Sequence, residues 1–291
     1  MKILFIAGGT GGHVYPALSI SREFKGKENH ISWIGKENSL EEKLCAEEGY
    51  EFYSIQGRGF LGKGLLGKIV SLCFFALALV KSSILLIKIR PDFIISTGGY
   101  ISLAPSLIGS LFYPLFIHEQ NSIAGLTNKI LHRFSKISFE AFPDTFNRSN
   151  RKTLFVGNPV REEILNFSIQ DKEEDSNFNI LVLGGSQGSM QINDILMNIL
   201  LNCSVPSNWN FLHQAGKLDS KLLKAAYEDS GVHFEIKEFI ENMPEVYKSS
   251  DLIISRSGAM TVSEICAVGK PSILLPLPWA SDNHQYMNAK Y

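Results

Sequence analysis

The sequence predicts an α/β protein of two doubly wound parallel-sheet domains, and three observations carry that prediction. A strand-like run, Lys2 to Ala7, ends in Gly8-Gly9-Thr10-Gly11-Gly12-His13 and passes into a helix-like run from Tyr15 to Phe24. The same order returns about 175 residues later: Asn179 to Leu183 ends in Gly184-Gly185-Ser186-Gln187-Gly188-Ser189, and a helix-like Met190 to Leu201 follows. At 291 residues the chain is too long for one ordinary core and suits two. Each glycine loop lets backbone N–H groups converge on an anion, because no Cβ blocks approach and the helix N-terminus adds partial positive charge. Neither loop carries the dinucleotide fingerprint, and the first lacks the Lys-Ser/Thr ending of a P-loop, so a plain strand-to-helix glycine turn competes with the phosphate-cradle reading.

Composition narrows the classes. With 45% hydrophobic and 20% charged residues this is an ordinary folded chain. A net charge of −1, with no basic recognition helix or aromatic platform, argues against a nucleic-acid partner. Cys45, Cys73, Cys203 and Cys266 form no CxxC pair, which points away from a zinc site or disulfide framework and toward a reducing cytoplasm. The N-terminus runs straight into a strand without a basic n-region or cleavage site, so no signal peptide is expected.

In order, Ile31 to Ile34 reads as a strand and Ser39 to Glu48 as a helix stopping at Gly49. A glycine-rich lead-in, Gly57 to Lys68, then enters the charge-free run Ile69 to Val80, which Lys81, Ser82 and Ser83 separate from Ile84 to Ile89. Without a clean stretch of ~20 apolar residues, the expectation is a buried crossover helix of the sheet and no transmembrane span. Phe60, Leu61, Leu65 and Leu66 among Arg58, Lys63 and Lys68 read as a docking surface for an anionic membrane face. Asp92 to Ser96 is a strand ending in Thr97-Gly98-Gly99-Tyr100, and Leu115 to His118 one ending in Glu119-Gln120-Asn121. Polar groups gather there because the crevice of an open α/β sheet lies at the carboxyl ends of its strands. A helix over Ile123 to Phe134 and strands at Ile137 to Phe139 and Thr153 to Val156 complete the first half, and Gly157-Asn158-Pro159-Val160-Arg161 is the joint. The expected domains are therefore 1–158 and 159–291.

In the second half, Asp171 to Asn179 reads as a solvated loop, Trp209 to Gln214 and His233 to Ile236 as strands around a helix from Asp219 to Tyr227, and Glu241 to Lys248 as a helix. The strand Asp251 to Ser255 meets Arg256-Ser257-Gly258, which opens a helix through Ala259, Met260, Thr261, Val262, Ser263 and Glu264 to Val268. Pro271 to Leu275 is a last strand, and Pro276 to Tyr291 a loop beginning a helix. A helix start is an odd place for a domain to finish, so the C-terminal part reads as missing, in a fragment or an unusual short form.

Taken together, GGTGGHVYPAL from Gly8, STGGYIS from Ser96, HEQNSIAGLTNK from His118, GNPVR from Gly157, GGSQGS from Gly184, RSGAMTVSE from Arg256 and DNHQYMNA from Asp282 resemble the MurG family of transferases, glycosyltransferase family 28. The resemblance implies the GT-B fold, two Rossmann-like domains facing a cleft, the first on the acceptor and membrane side and the second holding UDP-N-acetylglucosamine. It implies inverting transfer of N-acetylglucosamine to an undecaprenyl-linked acceptor, undecaprenyl-pyrophosphoryl-MurNAc-pentapeptide, at the cytoplasmic face of the membrane for peptidoglycan synthesis. Thr10, Gly11 and Gly12 would close over the donor with Asn121 and Arg161; Ser186 would face the phosphates and Ile240 the uracil. Ala259 to Glu264 would meet the diphosphate and ribose, and Gln285 the sugar hydroxyls. At His284 some relatives carry glutamine, and by the resemblance the family's terminal helix would be missing. A simpler reading of Glu264 is a first-turn acid that complements the helix dipole.

Inverting transfer needs a base, charge compensation for the departing UDP and alignment, and no covalent nucleophile. No DxD-like triad is present, so no cofactor or tightly bound metal is expected. His13 is the candidate base, since an ordinary imidazole titrates nearest neutrality, against the alternative that it only hydrogen-bonds the loop or the acceptor; Glu119 is the rival base. Another lipid glycosyltransferase with a diacylglycerol-type acceptor, or an inactive UDP-sugar-binding membrane-surface protein, are the competing functions.

Overall fold

The structure, a computed structural model, describes residues 1–26, 28–57, 64–146, 152–165, 177–185, 187–217 and 220–291. The chain divides into two units, Met1–Pro159 and Val160–Lys290. The first runs β1 (Lys2–Ala7), α1 (Gly11–Arg22), β2 (His30–Gly35), α2 (Leu40–Glu48), β3 (Glu51–Ser54), α3 (Leu65–Ile89), β4 (Phe93–Gly98), α4 (Leu103–Gly109), β5 (Leu115–Glu119), α5 (Leu126–Leu131), β6 (Ile137–Glu140) and β7 (Thr153–Phe155). The second runs α6 (Glu162–Leu165), β8 (Phe178–Leu183), α7 (Met190–Asn202), β9 (Trp209–Gln214), α8 (Lys221–Ser230), β10 (His233–Lys237), α9 (Met243–Ser249), β11 (Leu252–Ser255), α10 (Ala259–Val268), β12 (Ser272–Leu274) and α11 (His284–Lys290).

Both sheets are wholly parallel and follow one plan. The first has strand order β3-β2-β1-β4-β5-β6-β7, the second β10-β9-β8-β11-β12. In each, the first strand of the unit pairs on one side with its successor and on the other with a later strand, so the winding reverses between β1 and β4 and between β8 and β11. A reversal sends the flanking helices to opposite faces and leaves an opening at the carboxyl ends of the two strands. The central strands β1 and β8 are largely apolar and buried because helices cover both faces. Ile3 and Phe5 of β1 pack with Trp33 and Val14 on one side, while Leu4 and Ile6 pack with Leu86, Ile94 and Ile117 on the other. In the second unit Ile180 and Val182 join Phe211 and Tyr227, and Leu181 and Leu183 join Ile253 and Tyr247.

Several expectations need correction. The first helix begins at Gly11, not Tyr15, so Gly11, Gly12 and His13 form its opening turn. That start leaves the first N–H groups of α1 without intrahelical partners. The short edge strand β3 and the helices α4 and α6 have no counterpart in the sequence reading. The Arg58–Lys68 docking region lies largely outside the described residues, as does most of the Asp171–Asn179 loop.

The apolar helix departs most. It is continuous through Lys81, Ser82 and Ser83, and Val70–Ile89, with mean hydropathy 2.3, is long and apolar enough to cross a membrane. Lys81, Ser82 and Ser83 therefore do not interrupt the helix. The helix joins two strands of one sheet, and Ala78, Leu86 and Ile89 are buried, with Leu86 and Ile89 in the core beneath it, so it is a crossover helix. It is not buried on its other side: Leu72, Leu77, Val80, Ile84 and Ile87 are all at least 60% exposed.

Candidate active site

In the first unit the site is built where β1 and β4 end. Gly99 takes φ +89, and a Cβ there would stand 2.0 Å from the Gly8 carbonyl oxygen, so glycine is required for the two strand ends to lie this close. Thr10 caps α1 through its backbone, its carbonyl accepting from His13 N at 3.0 Å and Val14 N at 3.2 Å, and its side chain makes no capping bond. Thr10 and Gly12 are exposed, so the opening turn presents its amides outward.

His13, half-buried, turns back onto the β4 and β5 ends. Its Nδ1 lies 2.9 Å from the Thr97 carbonyl and 3.1 Å from Gln120 Oε1, while Thr97 Oγ1 donates to the His13 carbonyl at 2.8 Å. Both groups facing Nδ1 are acceptors, so Nδ1 carries the proton and Nε2 the lone pair. Nε2 has no hydrogen-bond partner among the described residues, and that lone pair is what a general base needs.

Glu119 is placed differently. It is 1% exposed, and both its oxygens are taken. Oε1 accepts from Asn121 N at 3.0 Å and Asn121 Nδ2 at 3.2 Å; Oε2 accepts from Gly125 N at 3.0 Å and Asn128 Nδ2 at 2.9 Å. Four donors fill the lone-pair directions of a carboxylate. Glu119 thus ties down the loop between β5 and α5 and fixes Asn121, and it has no vacant acceptor for an incoming proton.

In the second unit the glycine loop after β8 repeats the close approach. At Gly216, φ +73, a Cβ would lie 2.3 Å from Gly188 N. Ser189 caps α7, accepting from Ile192 N at 3.3 Å. Ser186 lies outside the described residues. Gln214, at the end of β9, donates to the Gly185 carbonyl at 2.9 Å and accepts from Ile240 N at 3.1 Å. It ties the loop to the segment carrying Ile240, where a cavity of about 620 Å³ is lined by Phe239, Ile240, Asn242 and Val246. A base edge pairing with the Ile240 amide has to displace Gln214.

The helix opening at Ala259 is capped by Gly258 without any side-chain bond, leaving the amides of Met260 and Thr261 for a ligand or solvent. Val262 N already bonds the Gly258 carbonyl at 2.9 Å. Behind it, Glu264 stands in the second turn, so the first-turn dipole reading does not apply. Its Oε1 accepts from Arg161 Nε at 3.2 Å and Nη2 at 3.0 Å, and its Oε2 from the buried Tyr247 hydroxyl at 3.0 Å. Burial, with the Glu264 carboxylate beside it, pushes the Tyr247 phenol upward, so it stays protonated and donates. Gln285 accepts from Leu277 N at 2.9 Å, and its carbonyl accepts from Ser257 Oγ at 2.8 Å, anchoring the start of α11 beside the start of α10.

The sites named from the sequence therefore fall into two groups. Thr10, Gly11, Gly12, His13, Glu119 and Asn121 gather in the first unit; Arg161, Ile240, Ala259 to Glu264 and Gln285 belong to the second. Comparison with known proteins decides the family. The glycosyltransferase family 28 N-terminal domain matches residues 3–139 and the corresponding C-terminal domain residues 179–291. The chain belongs to glycosyltransferase family 28. Family 28 relatives that it resembles include the UDP-N-acetylglucosamine--N-acetylmuramyl-(pentapeptide) pyrophosphoryl-undecaprenol N-acetylglucosamine transferases of Nitrosospira multiformis, 39% identical over 99% of this chain and 82% of that one, and of Shewanella frigidimarina, 37% identical over 99% and 80%. The crystal structure of Acinetobacter baumannii MurG matches with a TM-score of 0.82 at 32% identity, covering 100% of this chain and 82% of that one. Two parallel-sheet α/β units with these neighbours make the fold GT-B.

Three residues that orient the site were not singled out from the sequence: Gln120, Gln214 and Tyr247. The two glutamines shared a faint signal, a polar residue closing an apolar strand. Tyr247 gave none.

Proposed function

We infer that the chain is an inverting hexosyltransferase that moves N-acetylglucosamine from UDP-N-acetylglucosamine to undecaprenyl-pyrophosphoryl-MurNAc-pentapeptide, the step from lipid I to lipid II in peptidoglycan synthesis. The observation that carries this is the 37–39% identity to transferases of that name over 99% of the chain, covering the motifs of both units at once. In the proposed reaction the acceptor hydroxyl attacks the anomeric carbon, the carbon–phosphate oxygen bond breaks with its electron pair leaving on UDP, and His13 Nε2 takes the hydroxyl proton. Amides opening α10 and the Gly184–Ser189 loop would compensate the diphosphate, as helix N-termini do. Glu264 would accept ribose hydroxyls. The reading assigns no metal to the reaction.

The test is transfer of labelled N-acetylglucosamine to a polyprenyl-pyrophosphoryl-MurNAc-pentapeptide, in EDTA, with diacylglycerol as a competing acceptor. Label on the muramoyl lipid is expected. Label on diacylglycerol would replace the acceptor, UDP binding with no transfer would leave a binding protein, and rescue only by added divalent ion would restore a metal.

The membrane side of the reading moves from the glycine-rich lead-in to α3. The exposed Leu72, Leu77, Val80, Ile84 and Ile87 share that helix's outer side with Lys81 and Lys88, and Leu111 and Phe112, 65% and 73% exposed, follow α4, which packs on α3. Apolar side chains entering the headgroup region beside cations form a peripheral docking surface for an anionic leaflet, which the reading places at the cytoplasmic face. Leu77→Glu with Ile84→Glu should abolish co-sedimentation with anionic vesicles while leaving UDP binding unchanged; unaltered sedimentation would remove α3 from the role.

A further inference from the structure

A histidine serves as a base through one ring nitrogen only when the other carries the proton, and an isolated imidazole exchanges between its two neutral tautomers. We propose that His118 and Gln120 form a buried relay that fixes the tautomer and ring orientation of His13. The proposal rests on the reading of His13 as the base, and it concerns two residues that position His13 without touching substrate.

Each link is forced by the one behind it. The Gly157 carbonyl can only accept, so His118 Nε2, 3.0 Å away, carries a proton and donates. His118 Nδ1 is then an acceptor, and Gln120 Nε2 donates to it at 3.1 Å and to the His118 carbonyl at 2.9 Å. Reversing the Gln120 amide would aim its oxygen at two acceptors. Gln120 Oε1 is therefore directed at His13 Nδ1, 3.1 Å away, beside the Thr97 carbonyl at 2.9 Å. His13 must donate through Nδ1 and present Nε2 as the acceptor. The chain begins and ends on backbone carbonyls, which cannot change role.

Burial makes these choices costly to reverse. His118 is 3% exposed and Gln120 1%, so a mismatched pair would leave a polar atom unsatisfied away from water. Burial also holds the His118 ring below the ordinary histidine range, which keeps it neutral; a second ring proton would oppose the Gln120 amide. Gln120 is anchored from its backbone as well, its carbonyl accepting from Asn158 Nδ2 at 3.0 Å. The logic is that of an orienting group behind a catalytic imidazole, with a neutral amide in place of a carboxylate.

The experiment has two arms on the full chain. Two-bond ¹H–¹⁵N correlation of ¹⁵N-histidine protein at pH 8, assigned with His13→Ala and His118→Phe, should show His13 protonated at Nδ1 and His118 at Nε2. His13 protonated at Nε2 would overturn the relay without reference to turnover. In the second arm Gln120→Met, which keeps length and removes all three side-chain hydrogen bonds, should lower kcat about tenfold with KM for UDP-N-acetylglucosamine within about twofold, because the Thr97 carbonyl still holds part of the geometry. In a His13→Ala background the same substitution should cost nothing further, as expected of a residue acting through His13. A kcat within twofold of the parent, or losses that add in the double variant, would overturn it. Normal turnover of His13→Ala alone would remove the base reading instead, while the tautomer spectrum would still report on the relay.

Discussion

The two glycine openings share a backbone plan and differ in where their polar groups lead. After β1, hydrogen bonds run inward from the Gly157 carbonyl and emerge on one ring nitrogen of His13. After β8, Gln214 bridges two backbone groups, and Glu264 accepts from Arg161 and Tyr247. One opening ends on a vacant basic lone pair, the other on amides and a held carboxylate. On the proposed reading, the same strand–glycine–helix unit would take a proton in one half and hold an anion and a diol in the other, according to a few polar residues at neighbouring strand ends.

The sharpest way to break this comparison is His13→Ala. If the first opening exists to take the acceptor proton, kcat falls by ~10² or more while UDP affinity stays unchanged, the usual loss on removing a general base. Turnover near the parent value would make His13 a loop strut like those of the second unit. Glu119 offers no replacement, since its oxygens already accept from four donors.

A second contrast sets His13 against His213 of β9. His213 is fully buried, with Nδ1 3.1 Å from the Tyr227 hydroxyl and Nε2 3.1 Å from Asn193 Oδ1, so neither nitrogen is left over for chemistry. Burial pulls its pKa down to about 4 from an ordinary 6.5. A histidine whose folded pKa is depressed stays neutral in the native state while the unfolded chain takes up the proton. Its stabilising share is complete above pH 6.5, shrinks as pH falls toward 4, and is gone below that. The loss across the window is on the order of 3 kcal/mol. Hydrogen exchange of the β9 amides should show it, and His213→Gln should flatten the dependence; an unchanged acid slope would assign the sensitivity elsewhere. His118, also depressed by burial, adds a loss of the same sign to the first unit.

Much of the fold was legible because parallel strands buried on both faces read as short apolar runs, and the glycines at their ends mark where the backbone must come close. The order Lys2–Ala7, glycine loop, helix needed only local chemistry. The outer face of α3 was not legible: when apolar residues line both sides of a helix, periodicity cannot say which side the sheet covers. The edge strand β3 was too short and polar at its ends to stand out. At the site, the glycine loops and the polar strand ends could be named, but their orienting partners could not. Gln120 serves a histidine 107 positions away, and Arg161 meets a carboxylate 103 positions away, separations at which the sequence carries no pattern.

The smallest effects test the second opening, and they come as a graded pair. Glu264→Gln keeps the shape but turns one acceptor oxygen into a donor facing Arg161 or Tyr247, so KM for UDP-N-acetylglucosamine should rise by roughly ten- to a hundredfold, a charged hydrogen bond being lost with its ribose contact. Tyr247→Phe removes only the hydroxyl that donates to Glu264 Oε2 at 3.0 Å. The carboxylate keeps its Arg161 bonds and loses one fixed direction, so KM should rise by about three- to tenfold with kcat unchanged. The decisive readout is the donor lacking the ribose 2′-hydroxyl: if Tyr247 acts by aiming Glu264 at the ribose, the parent enzyme discriminates against that donor more strongly than Tyr247→Phe does. Equal discrimination would make the hydroxyl a packing group, and a fall in kcat instead of a rise in KM would carry proton-transfer geometry into the second unit and dissolve the division of labour drawn between the two openings.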